Sequence, residues 1–393
     1  MIKDFLKKVP FIFKYGMIYR SFEQSACIRR EQKYYENKAK QKGIKDIPNL
    51  PEIKLRLKAK LGKRGIRPKV KENLHILYAS RPVPWDTQNI VPAIAKYSKL
   101  TTYYNKKQGF NDELDNWLEI RDEMNDNFVE FIRNTHKNEP IDLVLTYFSG
   151  YQISPEAIEE INSMGIVTAS FHLDDRLSFR GKTIGDRRAG PSDVCKYYDI
   201  NLTQAPESLI KYYAEGAIAM VWPLAANQDF FYPRNSPFKY DVSFVGTSHG
   251  FRKPFIKYLK DSGIKVEAFG RGWKNGFISN EAVPEIFSAS RINLNFGNIA
   301  YTNYQCCKAR DFEIPISGGL MLTSYNEHLG KYFDLEKEVF TFKNREECLK
   351  QIKRLLADEE LCAQARIKAR DRALKCHKWE DRIEGLLEVI GYK

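Results

Sequence analysis

The sequence predicts an α/β protein built from two Rossmann-like domains facing a cleft, with a basic helical N-terminal extension. Three observations carry that reading. The chain has 393 residues, long for one core and comfortable for two. From residue 74 onward, short apolar runs alternate with helical patterns, stop, and start again after a segment rich in Asn, Pro and aromatics at 225–240. The net charge of +13 is unevenly placed: residues 1–72 hold 21 Lys+Arg against 7 Asp+Glu, and the remainder is close to neutral.

The alternation can be followed element by element. Residues 21–70 are polar, lysine-rich and compatible with helix, with breaks expected at Pro48 and Pro51. Pro10 is expected to interrupt any long helix near the start, because an interior proline removes a hydrogen bond and clashes with the preceding turn. Residues 74–79 read as a first buried strand, 90–97 as an apolar helix and 101–104 as a strand. Residues 113–135 are helical by periodicity, since Leu114, Trp117, Ile120, Met124, Phe128 and Ile132 recur at three or four positions. Strands follow at 141–147, 166–172, 200–203 and 217–222, with helices at 155–164 and 206–214 between them. The second series has strands at 241–245, 266–269, 292–296, 320–323 and 339–342, and helices at 253–261, 283–288, 346–356 and 359–376. Strands separated by helices argue for parallel sheets covered on both faces. The predicted divisions are 1–72 (basic extension), 73–226 (N-terminal domain), 227–240 (linker), 241–376 (C-terminal domain) and 377–393 (last helix).

The segment Lys308-Ala-Arg-Asp-Phe-Glu-Ile-Pro-Ile-Ser-Gly-Gly-Leu-Met-Leu-Thr323 carries the most chemistry. It reads as a short helix with Arg310 and Glu313 on one face, stopped at Gly318-Gly319 before an apolar strand. A cation and a carboxylate three residues apart are neighbours on a helix. A guanidinium and a positive helix end suit phosphate oxygens, and a carboxylate suits paired hydroxyls such as those of a ribose. The plain alternative is an exposed helix ion pair. The turn Gly246-Thr-Ser-His-Gly-Phe-Arg-Lys253 would let backbone amides approach phosphate, with Arg252 or Lys253 adding charge. It is neither a Walker motif nor a G-x-G-x-x-G fingerprint. Trp273, in Gly270-Arg-Gly-Trp-Lys274, is a candidate to stack on a base or to pack in the core.

This ordered series resembles the C-terminal half of GT-B glycosyltransferases, specifically the spore-maturation (CgeB-like) branch of the group 1 families. The resemblance rests on Lys308-x-Arg-Asp-Phe-Glu-Ile-Pro-x-Ser-Gly-Gly, on Asp241-Val-Ser-Phe-Val-Gly246, Gly270-Arg-Gly-Trp273 and Ile292-Asn-Leu-Asn-Phe296, and on His377-x-Trp379-x-x-Arg382. It covers residues 240–390 well and 73–225 in outline. It implies a glycosyltransferase that moves a sugar from a nucleotide-diphosphate donor, as co-substrate and without a bound cofactor or metal, to a glycan, a lipid-linked glycan or a protein. It places Glu313 on the nucleotide ribose and Arg310 near the diphosphate, and it puts the acceptor on the N-terminal domain. Many retaining relatives carry a second Glu eight residues before the first, where this chain has Gln305, so the sugar contact stays open. Cell-envelope glycan synthesis is the implied setting. A nucleotide-sugar epimerase is the rival with the same body, and a non-catalytic membrane- or sugar-docked module is the rival from another class.

In the N-terminal domain, Phe171-His-Leu-Asp-Asp-Arg176 follows a buried strand, where this architecture delivers functional side chains. His172, Asp174 and Asp175 are the candidate bases. Alternatively, Asp174 caps a helix and His172 is a packed, hydrogen-bonded histidine. The loop Ser80-Arg-Pro-Val-Pro-Trp-Asp86 offers Trp85 as a platform for a sugar ring, with Tyr147 and Ser149 beside it. His377, Trp379 and Arg382 are expected to brace the last helix.

No run of 18 apolar residues and no cleavable leader is evident, so a cytoplasmic protein is expected, peripheral on the inner membrane face if the extension docks there. In the extension, Phe5, Val9, Phe11, Ile12, Phe13, Ile18 and Tyr19 mix with Lys3, Lys7, Lys8, Lys14 and Arg20. That mixture favours an anionic lipid surface over nucleic acid, with a plain solvated helical extension as the other reading. Seven cysteines without a C-x-x-C pair point to reduced thiols. Removing everything before Leu74 is expected to leave the body folded.

Overall fold

The computed structural model describes residues 10–67, 69, 74–83, 85–184 and 187–392. The mixed basic and apolar residues at 3–9, the end of the extension at 70–73, and Pro84 lie outside the described residues. The chain divides into two compact units, one of residues 1–29 and 224–379, the other of residues 30–223 and 380–393.

The second of these units holds a six-stranded parallel sheet. Its strands are β1 (His75–Ser80), β2 (Lys99–Tyr104), β3 (Leu143–Tyr147), β4 (Val167–His172), β5 (Ile200–Thr203) and β6 (Ala219–Val221), in the order β2-β1-β3-β4-β5-β6. β1 pairs with β2 through Ala79–Tyr103 and with β3 through Ala79–Thr146. Helices α1 (Pro10–Gln41) and α2 (Leu50–Lys63) precede the sheet. Helices α3 (Ile90–Tyr97), α4 (Trp117–Asn138), α5 (Pro155–Ser163) and α6 (Leu209–Glu215) connect its strands. α4 buries Trp117, Met124, Phe128 and Ile132 in a core shared with Leu77 and Val144, so the periodicity read from the sequence is its packed face.

The break expected at Pro48 is present between Gln41 and Leu50, whereas Pro51 does not break a helix, and the residues before Pro10 lie outside the described ones. Pro10 is the first residue of α1, and Pro51 stands in the first turn of α2. A first-turn amide has no intrahelical acceptor, so proline costs nothing there and its fixed φ suits the helix. Asn49 caps α2 through a reciprocal capping box with Glu52. The lysine-rich segment is also built into the body. Tyr35 and Ala39 of α1 pack with Phe179, Tyr212 and Ala219. Ile53, Leu57 and Leu61 of α2 are buried. Arg64 makes a two-pronged contact with the buried Asp199 at 2.6–2.7 Å. Deleting residues before Leu74 would therefore open a core, which corrects the expectation that the body stands without them.

The other unit holds a five-stranded parallel sheet of β7 (Tyr240–Val245), β8 (Val266–Phe269), β9 (Ser290–Asn295), β10 (Met321–Ser324) and β11 (Phe340–Phe342), ordered β8-β7-β9-β10-β11. Its helices are α7 (Arg252–Asp261), α8 (Ala282–Ser288), α9 (Arg310–Ile316), α10 (Arg345–Ala357) and α11 (Glu359–Cys376). Val242, Phe244, Leu294, Leu322, Cys348 and Ile352 share its core. The chain ends in α12 (Trp379–Ile390). In its own unit α12 is tied down by the Trp222 indole donating to the Arg382 carbonyl and by Arg382 Nε donating to the Pro223 carbonyl.

In each sheet the strand order reverses once, between β1 and β3 and between β7 and β9. Open parallel sheets bind ligands beyond the carboxyl ends of their strands at such reversals. The loops after β1, β3, β7 and β9 are thus where the topology places function. Among the described residues no helix is long and apolar enough to cross a membrane.

Candidate active site

Beyond the carboxyl end of β7 the backbone of Gly246 adopts φ +153°, a region costly for residues with a Cβ. A Cβ there would lie 3.0 Å from the Phe244 ring and 3.5 Å from Nη1 of Arg310. Gly270, after β8, comes still closer: a Cβ on it would stand 2.7 Å from the Gly246 carbonyl oxygen. The Trp273 indole donates to that same carbonyl at 2.7 Å, and its ring meets Phe244 edge to face at 5.9 Å. Trp273 therefore fixes the Gly246 turn from below.

Arg310 opens α9 and is positioned by Asn295 at the end of β9, whose Oδ1 accepts from Arg310 Nε at 2.9 Å. The amide of Asn295 donates in turn to the carboxylate of Asp311 at 2.7 Å. Asp311 also accepts from the Lys308 backbone amide at 2.7 Å and from Thr323 Oγ1 at 3.3 Å. Asp311 is buried, and burial pushes its carboxyl above the usual range. Arg252 opens α7, donates to the Thr247 carbonyl at 3.0 Å, and lies over the rings of Phe244 and Phe296 at 5.5 and 5.9 Å. Burial and the neighbouring Arg310 lower its guanidinium to about 10. Burial also lowers Arg310, while Glu313 and Asp311 oppose the shift. Two guanidinium groups at one turn are thus both partly desolvated, an arrangement an anion stabilises.

Glu313 is 7% exposed and lies near enough to Arg310 to act as its counter-charge. Lys253 is exposed and takes no part in these contacts. Gly318 is at the other end of α9, at φ +73°, where its amide closes on the Pro315 carbonyl and a Cβ would stand 3.1 Å from the Pro233 ring. The helix has only seven residues. The structure thus gathers Gly246, Arg252, Trp273, Arg310 and Glu313 and leaves Lys253 and Gly318 apart. Gln305 is held by the Ser324 hydroxyl, which donates to its Oε1 at 2.8 Å. His377 meets Phe312 edge to face at 5.3 Å and donates from its ring to the Tyr332 carbonyl.

In the other unit, β4 ends at His172, and a short helix, Asp175–Ser178, follows. His172 is buried, and burial pushes its pKa down to about 3, so the ring is neutral at physiological pH. Asp174 is exposed; its carbonyl, not its carboxylate, receives the first amides of the short helix. Asp175 is 1% exposed and accepts from the Tyr212 hydroxyl at 2.8 Å. Burial raises it to about 6 despite Thr203, Tyr212 and Lys211, which pull the other way. Lys211, itself buried, donates to the Asp175 carbonyl and pairs with Glu31 of α1 at 2.8 Å. Nearby aromatics form a wall: Tyr147 stacks on Phe171 at 4.6 Å, and Trp85 meets both rings edge-on at 6.4 Å. Asp86 is buried beneath, accepting from Ser80 and Tyr78.

Sequence reasoning did not single out Asn295 and Asp311, the two residues that aim Arg310. A polar residue closing an apolar strand, and an acid beside the key arginine, were the available signals.

Residues 252–388 match a family of description "Glycosyl transferase-like". The span contains Arg252, Trp273, Arg310, Glu313 and Gly318. No protein of curated function matches the sequence. Among solved structures, the chain is similar to sucrose-phosphate synthase from Thermosynechococcus elongatus, with a TM-score of 0.57 and 12% identity over 80% of this chain and 98% of that one. It is similar to Anabaena HepE in complex with UDP, with a TM-score of 0.56 and 10% identity over 80% and 99% of the two chains. It is similar to the T4 phage BGT in complex with its UDP-glucose substrate, with a TM-score of 0.50 and 14% identity over 81% and 99%. The two parallel sheets are therefore those of the GT-B fold.

Proposed function

We propose that the protein is a metal-independent glycosyltransferase of the group 1 type, nearest the spore-maturation branch. It moves a hexosyl or related sugar from a nucleotide-diphosphate donor to a glycan, a lipid-linked glycan or a protein of the cell envelope. One observation carries the reading: Arg252 and Arg310 converge on the Gly246 turn beyond the strand reversal of the second sheet, Arg252 by donating to the Thr247 carbonyl and Arg310 with Nη1 3.5 Å from where a Cβ on Gly246 would stand. Such a pair holds a diphosphate more firmly in the transition state, as its charge grows, than in the ground state. HepE with UDP and the phage enzyme with UDP-glucose agree with that ligand class.

In this reading residues 241–376 bind the donor and residues 73–226 the acceptor. Glu313 holds the ribose, and the Gly246 turn admits the diphosphate. The bond between the anomeric carbon and the diphosphate oxygen breaks, and its electron pair leaves with the diphosphate. The acceptor hydroxyl oxygen bonds to the anomeric carbon, and its proton passes to a base among Asp174, Asp175 and His172. Of these, Asp174 is the exposed carboxylate, and Asp175, at about 6, is poised near neutrality. His172, at about 3, is the weakest base.

The basic α1 supports a second element of the proposal, docking on the anionic inner face of a membrane. Ile18, Tyr19 and Phe22 are 57%, 66% and 70% exposed on a helix from the region that carries the surplus of cations. A panel of nucleotide sugars, incubated with the protein in EDTA, tests the whole. Slow release of a nucleoside diphosphate from one donor is expected. An epimerised sugar would mark an epimerase instead, and no turnover with tight binding to anionic liposomes would mark a docking module.

A further inference from the structure

The loops that leave β7 and β9 flank the strand reversal of the second sheet, and two aromatic contacts join them: Phe251 meets Phe296 edge to face at 5.4 Å, and Tyr301 meets His249. The Tyr301 ring lies 4.2 Å from the ring of His249. It also lies 3.5 Å from where a Cβ on Gly250 would stand. His249 sits between Gly246 and Arg252 in the first loop, and Tyr301 precedes Arg310 in the second. The Tyr301 loop turns back on itself, with the Ile299 amide donating to the Tyr304 carbonyl at 2.8 Å and Thr302 fully buried. Ala300, just before Tyr301, is held at φ +48°, a conformation that a residue with a Cβ keeps only when its surroundings impose it.

Part of what imposes it comes from α1. Gln24 Oε1 accepts the backbone amide of Tyr301 at 3.0 Å. Arg20, one helical turn earlier on the same face, donates to the Tyr301 hydroxyl at 3.2 Å and lies 5.4 Å from the ring centre. Its charge also reaches His249, which burial, Arg252 and Arg20 together hold below the usual histidine range. An exposed arginine contributes little to fold stability through such contacts. Two contacts from one helix face onto one residue, beside a strained backbone, instead fix a position.

We propose that Arg20 and Gln24 are positioning residues of the donor site: α1 clamps Tyr301 onto His249 and so sets the spacing of the loops that carry Arg252 and Arg310. The inference rests on the donor-site reading above. It adds to it a part of the chain outside the matched span of 252–388.

The test uses the full chain and the double variant Arg20→Ala/Gln24→Ala, with Arg20→Lys as the conservative control. Hydrogen exchange without nucleotide should be faster at residues 297–308 in the double variant and unchanged in α10 and α11. Calorimetric titration with UDP, GDP, ADP and CDP should show the best-binding one weakened about three- to thirtyfold, with Arg20→Lys near wild type. Unchanged loop exchange, or faster exchange with wild-type affinity, overturns the clamp and leaves the donor site standing. A wild-type protein that binds none of the four removes the donor site itself, and the clamp's role with it.

Discussion

At Asp175 a carboxyl group is enclosed against Tyr212 and ionises near 6, where the unfolded chain would ionise near 3.8. The folded protein holds this proton more tightly than the unfolded one, so ionising the group costs stability. The cost is absent below about pH 3.8, grows as pH rises, and is complete above about 6. Asp175→Asn is therefore expected to gain stability over wild type between pH 4 and pH 7, by on the order of 2–3 kcal/mol in denaturant titrations. If Asp175 is the base, the same variant loses turnover, and the wild-type rate falls as pH drops through 6. At this scale the sequence was informative about where a buried strand stops, as at His172. It was uninformative where a side chain is aimed by a partner far along the chain. Asn295 reaching Arg310, and Arg20 reaching Tyr301, are set by tertiary packing that no local pattern encodes.

Among the elements, the strands and the long helices were legible because their apolar period is strong. The line Glu359–Cys376 appears in sequence and structure alike, and α4 buries the face its periodicity announces. The lysine-rich start was harder to read, because Ile53, Leu57 and Leu61 form a narrow stripe among cations and because Pro51 suggested a break where it stands in the first turn of a helix. The end of α2 shows what the stripe serves. Arg64 neutralises Asp199, which is fully buried and also accepts from the Thr168 amide at 3.0 Å. Arg64→Ala should cost up to about 3 kcal/mol, because it leaves the buried Asp199 only Lys60, 3.8 Å away, as a counter-charge. Adding Asp199→Asn should recover part of that loss. Urea titration of the single and double variants measures both.

For the whole molecule, two parallel sheets were predictable from the restart of the strand–helix alternation after residue 240, but their strand orders were not. The way α1 and α2 enter the body was not, since composition alone resembles a solvated arm. A chain beginning at Leu74 is expected to lose cooperative unfolding or to aggregate, because Tyr212, Phe179 and Ala219 lose Tyr35 and Ala39 as neighbours. A sharp thermal transition near that of the full chain would show that these contacts are dispensable. Over the entire structure the account depends on one charge arrangement, Arg252 and Arg310 at the Gly246 turn, finding its anion. Isothermal titration of the full chain with UDP, GDP, ADP and CDP measures this most directly. One of the four should bind with 1:1 stoichiometry, and Arg310→Ala should weaken it by about 1.5–3 kcal/mol. Absence of binding by all four, or equal affinity in the variant, would contradict it.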